Sequence, residues 1–489
     1  MRVAREVETK LAVDDAFVLP DLAAVKGVES VAMRSHRLRA TYYDTEDLRL
    51  ARSGTTLRHR TGEGRPCWTL KLASTAAEGL DRVELTIDGP GTAVPEALQE
   101  LLTARLRGAV LQRAVQLRTA RTTRVLAGPE GPLLEVVDDR VAVVEGTAVV
   151  RRWRELEVEV EDRAAPSKLR ARVVELLVSE GAKVGDQTPK ALRALGSRAT
   201  GPADLPSPGR VRRKDPAAAL VRWSLADGLA RLVEHDLGVR RGLEDAVHQL
   251  RVSCRRLRSD LRTFRELLDD PRTGALREEL AWLADSFGGA RDLEVLRARL
   301  ERTARADPLC PLDEGDVDAL LAGQEQYALD AARAALRSPR YLALLQLLHD
   351  TAVAPGLTAE AERPCREVLP EIVERTWAHL RKRARVLGVE DPDADWHRAR
   401  ILAKRARYAA ESARIALGDD MRPQVKASKA VQEVLGEHQD AAVAADRVLA
   451  LAGEHPDQHT LAVTCGRLAE RERAQVVALR RKFLAAGLV

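Results

Sequence analysis

The sequence predicts a two-domain α+β protein, with a strand-rich N-terminal part and an all-helical C-terminal part. Short segments before residue 197 alternate charged and apolar residues, which is the period-two pattern of half-buried strands. Residues 198–216 contain four prolines and two glycines, a composition typical of a linker. After Pro216 the alternation disappears, and alanine and leucine recur at helical spacing. We therefore place the strand-rich domain at residues 1–197, a linker at 198–213 and the helical domain at 214–489.

Composition narrows the class of protein. The 489 residues exceed one typical domain, and 45% of them are hydrophobic, which is ordinary for a globular protein. The net charge is only +5, so a basic function would need local clustering of charge. The five cysteines form no C-x-x-C pair, which argues against a disulfide scaffold. With no signal peptide and no long apolar run, the sequence predicts a cytoplasmic protein without a membrane partner.

The first strand carries charge on one side. Glu6, Glu8 and Lys10 share one face because strand side chains alternate, while Val7 and Thr9 share the other. Burying such a charged row in an apolar core is costly. The face should therefore meet water, a metal ion or an anion. Taken alone, this strand fits an ordinary exposed face better.

Later strands repeat this arrangement. Three further groups of charged residues each share one strand face: Arg58 with Arg60, Arg82 with Glu84, and Glu155 with Glu157 and Glu159. Lys71 is a single charged residue in the strand between the first two groups. An open sheet would show these faces to water, whereas a closed sheet would turn them into a charged lumen. In such a lumen, carboxylates can hold a hard cation such as Mg²⁺, and arginine and lysine can hold phosphates.

This ordered set, closed by Thr188-Pro189-Lys190, resembles the CYTH family of triphosphate tunnel metalloenzymes over residues 2 to about 197. The resemblance implies an antiparallel eight-stranded β tunnel with flanking helices that binds triphosphate with Mg²⁺ or Mn²⁺. It implies catalytic roles for Glu6, Glu8 and Lys10, and metal binding by Glu6, Glu8, Glu157 and Glu159. It implies triphosphate binding by Lys10, Arg58, Arg60, Lys71, Arg82, Arg121, Arg124 and Lys190.

Two details of the strand-rich domain stay open. Arg121 and Arg124 both lie where the family has a basic ligand, but their odd separation prevents a regular strand from pointing both inward. Glu135 and Asp138 match an acidic pair of the family, and a strand residue with a turn residue explains them equally well. Asp138-Asp139 itself predicts a tight turn between two strands.

The helical part contains an internal repeat. The motif H-x-x-R-x-x-x-[RK]-[RK]-x-R begins at His248 and again 149 residues later at His397. Steps of three and four residues place its basic side chains in one stripe along a helix, beside an apolar stripe. Each copy also precedes a predicted helix end, at residues 287–292 and 435–440. Like charges in a stripe repel, so two such stripes favour an anion ligand over a solvated face.

This region resembles the CHAD domain, the conserved histidine α-helical domain, over about residues 214–489. The resemblance implies two pseudo-symmetric four-helix bundles with a basic surface that binds polyphosphate. The polyphosphate-binding residues would be His248, Arg251, Arg255, Arg258, His397, Arg400, Lys404 and Arg407. His438 would join this surface or occupy a helix end.

Together these patterns predict an enzyme, a Mg²⁺- or Mn²⁺-dependent triphosphatase that hydrolyses inorganic triphosphate. The protein would also bind polyphosphate, and it could associate with polyphosphate granules in the cytoplasm. One alternative is a tunnel enzyme acting on nucleoside or thiamine triphosphate. Another is a non-enzymatic polyphosphate-binding protein. Aromatic residues make up only 3% of the chain, which disfavours nucleic acid as the partner. The sequence contains no P-loop, and the motif histidines lack partners at zinc-ligand spacing.

Overall fold

The computed structural model describes residues 1–72, 81–129, 131–161, 167–185, 187–306, 314–455 and 457–487. The chain divides into two compact units, a strand unit at Met1–Asp204 and a helical unit at Leu205–Val489. The first is an antiparallel sheet with short helices and the second is all helical, so the predicted α+β class is confirmed. The exact domain limits and the linker at 198–213 stay predictions.

The described residues of the strand unit form nine strands. They are β1 (Arg2–Val13), β2 (Ser30–Asp44), β3 (Thr56–Thr61), β4 (Cys67–Leu72), β5 (Asp81–Asp88), β6 (Gln112–Gly128), β7 (Gly131–Glu145), β8 (Ala148–Glu161) and β9 (Lys183–Val184). Their order is β5-β4-β3-β2-β6-β7-β8-β1-β9, and β1 also pairs with β5. The pairings of eight strands therefore return to their starting strand and enclose a tunnel, as the resemblance implied.

Four short helices accompany the sheet: α1 (Arg49–Arg52), α2 (Glu96–Leu106), α3 (Ser167–Ser179) and α4 (Lys190–Leu195). Helix α3 packs Val173 and Leu177 against the outer face, where Leu126 and Val158 are buried. Helix α4 packs Ala191 against the inward-facing residues of β2, β6 and β7. Apolar side chains therefore lie outside the tunnel under α3 and inside it under α4, and between these clusters the inward-facing charged side chains line the tunnel.

The helical unit contains α5 (Ala217–Arg240), α6 (Ala246–Thr263), α7 (Arg272–Ser286), α8 (Gly288–Arg305), α9 (Glu314–Arg337), α10 (Pro339–Val353), α11 (Cys365–Ala384), α12 (Asp393–Leu417), α13 (Arg422–Glu454) and α14 (His459–Ala485). Within the described ranges, no helix is both long and apolar enough to span a membrane.

The repeat offset of 149 residues relates these helices pairwise. It carries α5 and α6 onto α11 and α12, and α9 onto α14, while α7 and α8 together correspond to the single helix α13. The starts of α5 and α11 also pair, because the amide of Ala217 donates to Arg363 at 2.9 Å and that of Cys365 donates to Asp215 at 2.8 Å. Each copy thus supplies one group of helices.

The predicted helix end near Phe287 lies between α7 and α8, but the one at 435–440 is wrong because α13 continues through it. A glycine such as Gly436 costs a helix interior only about 1 kcal/mol. Burial of Leu435 and Ala441 on either side outweighs that cost.

The apolar stripes predicted beside the two motifs are confirmed as core. In α6, Leu250, Cys254 and Leu257 are at most 1% exposed, and in α12 the alanines at 399, 403 and 406 are fully buried. These alanines are small, so α12 can lie close to its neighbours. Burial of the apolar stripes fixes the rotation of both helices and hence the direction of their basic side chains.

Candidate functional site

The tunnel of the strand unit contains a cavity of about 210 Å³ with polar and charged walls. Its lining residues are Glu8, Lys10, Arg34, Tyr42, Thr56, Arg58, Arg60, Glu63, Lys71, Glu84, Arg121, Glu135, Glu157, Glu159, Pro189 and Lys190. Nine of the residues predicted to bind metal or triphosphate therefore surround one space: Glu8, Lys10, Arg58, Arg60, Lys71, Arg121, Glu157, Glu159 and Lys190.

Carboxylates form one side of the cavity because strand register aligns them. Glu8 of β1 lies opposite Glu159 of β8, which lies opposite Glu135 of β7. Like charges directly opposite each other destabilise a sheet unless something compensates them. Oxygen atoms of Glu8, Glu157 and Glu159 lie within 4.8 Å of one another, the arrangement of a candidate metal site.

Cationic side chains form the other side. Arg58 and Arg60 come from β3 and Lys71 from β4. Repulsion from Arg58, followed by burial, lowers the pKa of Arg60. Lys71 pairs with Glu84, and a guanidinium nitrogen of Arg60 lies 3.5 Å from Glu63. This crowding of positive charge is the feature that an anionic ligand would relieve.

Lys190, at the start of α4, lies among the carboxylates. Its Nζ lies 2.6 Å from a carboxylate oxygen of Glu157 and 3.0 Å from those of Asp139 and Glu155. Burial opposes ionisation of Glu157, but Lys190 and then Lys10 hold the pKa of Glu157 well below its ordinary value. Burial likewise disfavours the charge on Lys190, yet these carboxylates raise the pKa of Lys190 well above its ordinary value. The network therefore stays ionised.

Arg121 and Arg124 take opposite faces of β6. The guanidinium group of Arg121 donates to both oxygens of Asp139, at 2.8 and 2.6 Å, and lines the cavity. Burial disfavours its charge, but Asp139 and other carboxylates raise the pKa of Arg121 well above its ordinary value. Arg124 shares the outer face with Leu126, so the structure does not bring it to the cavity. The reason is their odd spacing in a regular strand.

The side chains of Glu6 and Arg82 lie outside the described residues, although their backbones pair between β1 and β5. Their roles stay predictions.

The tight turn predicted at Asp138-Asp139 is wrong, because β7 runs through both residues. Asp138 faces outward and pairs with Arg154 at 2.9 Å, whereas Asp139 faces inward and is fully buried. Alternation along one unbroken strand from Glu135 would have placed Asp139 inside. The sequence analysis also missed Arg34, which donates to both oxygens of Glu135 at 2.8 and 2.9 Å.

The helical unit contains a second, larger cavity of about 650 Å³, here called the basic cleft. Helices α6, α8, α12 and α13 line it. Seven of its lining residues were predicted from the repeat: His248, Arg251, Arg255, His397, Arg400, Lys404 and Arg407. The two motifs, which are 149 residues apart, thus face one shared space.

Positive charge in the basic cleft is only partly compensated. Arg251 donates to the carbonyl of Gly288 at 2.9 Å and to Asp292 at 3.2 Å. Among the residues that the structure describes, Arg255 and Lys404 have no carboxylate partner. Burial, followed by Arg400 and Arg255, lowers the pKa of Lys404 to about 7. An added anion would therefore favour the charged form of this lysine.

Two residues of the helical unit lie away from the basic cleft, although the sequence analysis considered both for the basic surface. Arg258 does not line the basic cleft and Arg256 does, because burial of Leu250, Cys254 and Leu257 fixes the rotation of α6 with Arg256 on the cleft side. His438 is neither on the basic surface nor at a helix end, but is buried within α13. It accepts a hydrogen bond from Arg480 Nε at 3.0 Å, and burial with that neighbouring charge lowers the pKa of His438 to about 4.

Comparison with known proteins adds the family context. The model of the CYTH domain matches residues 4–192, and that of the CHAD domain matches residues 224–449. An uncharacterised protein from Mycobacterium tuberculosis is 32% identical over 98% of this chain and 96% of its own length. PptA from Streptomyces chartreusis is 25% identical, with a TM-score of 0.47, over 56% of this chain and 99% of its own. The CHAD domain from the plant Ricinus communis is 28% identical, with a TM-score of 0.46, over 58% of this chain and 94% of its own.

Proposed function

Since this chain belongs to the family in which a CYTH domain precedes a CHAD domain, we propose that its tunnel hydrolyses inorganic triphosphate with Mg²⁺ or Mn²⁺ and that its basic cleft binds polyphosphate. The observation that carries the first part is that one cavity holds both a cluster of three carboxylates, Glu8, Glu157 and Glu159, and a set of cationic side chains from β3 and β4. A triphosphate with a divalent cation is a ligand whose charges complement both sides.

The carboxylate side fits a hard cation. Glu8, Glu157 and Glu159 offer only oxygen ligands, which Mg²⁺ and Mn²⁺ prefer. The directly opposed pair Glu8 and Glu159 would also gain from a divalent charge between them. When bound, the cation would neutralise charge on the terminal phosphoryl group.

The chain's own residues would bind and orient the substrate. Arg58 and Arg60 can make paired, charge-assisted hydrogen bonds to phosphate oxygens, and Arg121, whose guanidinium group is paired with Asp139, adds positive charge beside them. Water would attack the terminal phosphorus in line, the bond from that phosphorus to the bridging oxygen would break, and pyrophosphate would leave. Phosphoryl transfer needs little beyond such positioning and charge stabilisation.

The second part of the proposal is supported by the charge of the basic cleft. Both repeats contribute cations to it, and Arg255 and Lys404 lie there without a carboxylate partner within the described ranges. Like charges repel across such a cleft, and a chain with about one negative charge per phosphate would relieve that repulsion. The volume of about 650 Å³ leaves room for several phosphate units.

A phosphate-release panel tests the tunnel. Purified full-length protein is given triphosphate, ATP, thiamine triphosphate or long-chain polyphosphate, each with Mg²⁺, with Mn²⁺ or with a chelator. Triphosphate with metal should give the fastest release. Glu8→Gln and Glu159→Gln should nearly abolish it, whereas Glu180→Gln, which changes an exposed carboxylate of the same unit, should not.

The same panel separates the alternatives. Faster release from ATP or thiamine triphosphate would reassign the substrate, and release from none would favour the non-enzymatic alternative. Near-normal turnover of Glu8→Gln at limiting metal would refute the proposed metal site.

Polyphosphate binding is tested on the basic cleft. Removing Arg251, Arg255 and Arg400 together should weaken binding of long-chain polyphosphate and flatten its salt dependence, because fewer counterions are displaced. Release of phosphate from triphosphate should stay unchanged in this variant. Unaltered polyphosphate affinity would mean that the cleft is not the site.

A further inference from the structure

Five arginines stand exposed on the outer face of the closed sheet, on the side of the strands opposite the tunnel. We call Arg37, Arg39, Arg118, Arg140 and Arg152 the outer arginine patch. They alternate with inward-facing residues such as Ala40, Leu117 and Val141. None of them lines the tunnel cavity or the basic cleft.

Strand register brings these residues together. One row across the sheet runs Arg39, Arg118, Ala142, Arg152, on β2, β6, β7 and β8. The neighbouring row, two residues along each strand, runs Arg37, Ala120, Arg140, Arg154. Strands about 4.8 Å apart and a rise of about 3.4 Å per residue give the patch a span of roughly 14 Å by 7 Å.

Alanines between the arginines make the surface of the patch uneven. Ala142 separates Arg118 from Arg152, and Ala120 separates Arg37 from Arg140. Long arginine side chains therefore flank short gaps in which the sheet surface lies low. A thin chain of anions can lie in these gaps and still be reached by guanidinium groups from both rows.

The charge of the patch is not compensated by the protein. Arg39 and Arg118 lie directly opposite each other, an arrangement that destabilises a sheet. Across the described part of the chain, no carboxylate pairs with any of the five arginines. The contrast is Arg154 on the same face, which pairs with Asp138 and is buried.

We propose that the outer arginine patch binds long-chain inorganic polyphosphate. Guanidinium groups match phosphate oxygens with paired hydrogen bonds, and five charges in so small an area suit a chain charged at every unit. The outward-facing positions next to the patch on β2 and β6, which are Ser35, Thr41, Gln116 and Thr122, carry no aromatic side chain on which nucleic-acid bases could stack. The ligand class is that of the proposed function, which this inference deepens, but its residues are separate.

The test uses full-length protein in which the basic cleft is already weakened by Arg251→Ala, Arg255→Ala and Arg400→Ala. Adding Arg39→Thr, Arg118→Thr and Arg152→Thr should lower the remaining affinity for long-chain polyphosphate about tenfold or more at moderate salt. It should also reduce the slope of log affinity against log salt by about 2, from three lost contacts at roughly 0.7 each. Threonine suits exposed strand positions, so the fold should persist.

The matched control adds Lys26→Ser, Lys168→Ser and Lys183→Ser, which removes three exposed charges elsewhere in the strand unit. This control should change polyphosphate affinity little, and neither triple should alter phosphate release from triphosphate. An effect of the patch variant no larger than that of the control would overturn the proposal. So would single-stranded RNA that binds the patch more tightly than polyphosphate does.

The two proposals fail separately. If the cleft substitutions alone leave polyphosphate affinity intact while the patch substitutions remove it, the cleft assignment fails and the patch assignment stands. The patch assignment fails if two results are found together. The cleft substitutions alone remove all polyphosphate binding, and the three patch substitutions in otherwise wild-type protein change neither the affinity for polyphosphate nor its dependence on salt.

Discussion

Replacing Lys190 by methionine should destabilise the strand unit strongly. The substitution keeps the length of the side chain but removes a charge that lies 2.6 Å from Glu157 and 3.0 Å from both Asp139 and Glu155. Those three carboxylates are at most 3% exposed. Breaking a buried ion pair costs about 3–5 kcal/mol because the remaining charge is left uncompensated.

The contacts that survive set the size of the effect. Asp139 keeps Arg121 at 2.6 Å, Glu155 keeps Arg193 at 3.1 Å, and Glu157 keeps Lys10 at 3.1 Å. Since no carboxylate loses its last cation, we expect a loss near the lower end, about 3 kcal/mol. That corresponds to amide exchange about 150-fold faster in the strands that share the network.

Hydrogen exchange of metal-free protein, followed by mass spectrometry, measures this effect locally. Peptides from β7 and β8 should lose protection in Lys190→Met, while peptides from α12 and α13 serve as an internal reference. Lys183→Met is the matched control, because Lys183 is exposed and should matter by less than about 0.5 kcal/mol. Protection in β7 and β8 within threefold of wild type would refute the reasoning.

The pH dependence of this difference has a definite sign. In the wild type the pKa values of Glu157 and Asp139 lie below their ordinary 4.5 and 3.8, because the nearby cations offset the effect of burial. Their stabilisation is therefore present above those values and is lost as the pH falls through the lowered folded-state values. The difference in stability between wild type and Lys190→Met should be largest at pH 6–8 and should decrease below about pH 4.5. A stability difference that increases as the pH falls would contradict the ion-pair explanation.

Three further predictions follow from other parts of the molecule. Arg255→Lys should weaken polyphosphate binding measurably in a titration, because lysine cannot make the paired hydrogen bonds of a guanidinium group. Burial raises the pKa of Asp260 to about 7, so the contribution of this carboxyl group to stability should fall as the pH rises from about 4 to about 7. Asp260→Asn should remove that contribution in denaturant titrations, and a pH dependence unchanged by the substitution would contradict it. A chain ending at Asp204 should melt higher than one ending at Ala199, because Asp204 pairs with the buried guanidinium of Arg107; equal melting temperatures would contradict this role.

Much of the architecture could be predicted from local patterns. The alternation around Glu8 and around Glu157 predicted one charged face per strand, and the repeat at His248 and His397 predicted two related basic stripes. These predictions succeed because the direction of a side chain follows from the local period of a strand or helix. The same rule, applied to β7 as a single strand, would have placed Asp139 inside.

The sequence by itself thus determined which residues share a face, where strands give way to helices, and that the helical part is a repeat. Only the tertiary structure decided which faces meet. It aligned Glu8 with Glu159 through strand register, brought Lys190 of α4 onto Glu157, and turned Arg256 rather than Arg258 into the basic cleft. The physical reason is that strand register and helix rotation are set by packing between elements that are distant in the chain. The local periodicity of the sequence does not contain that information.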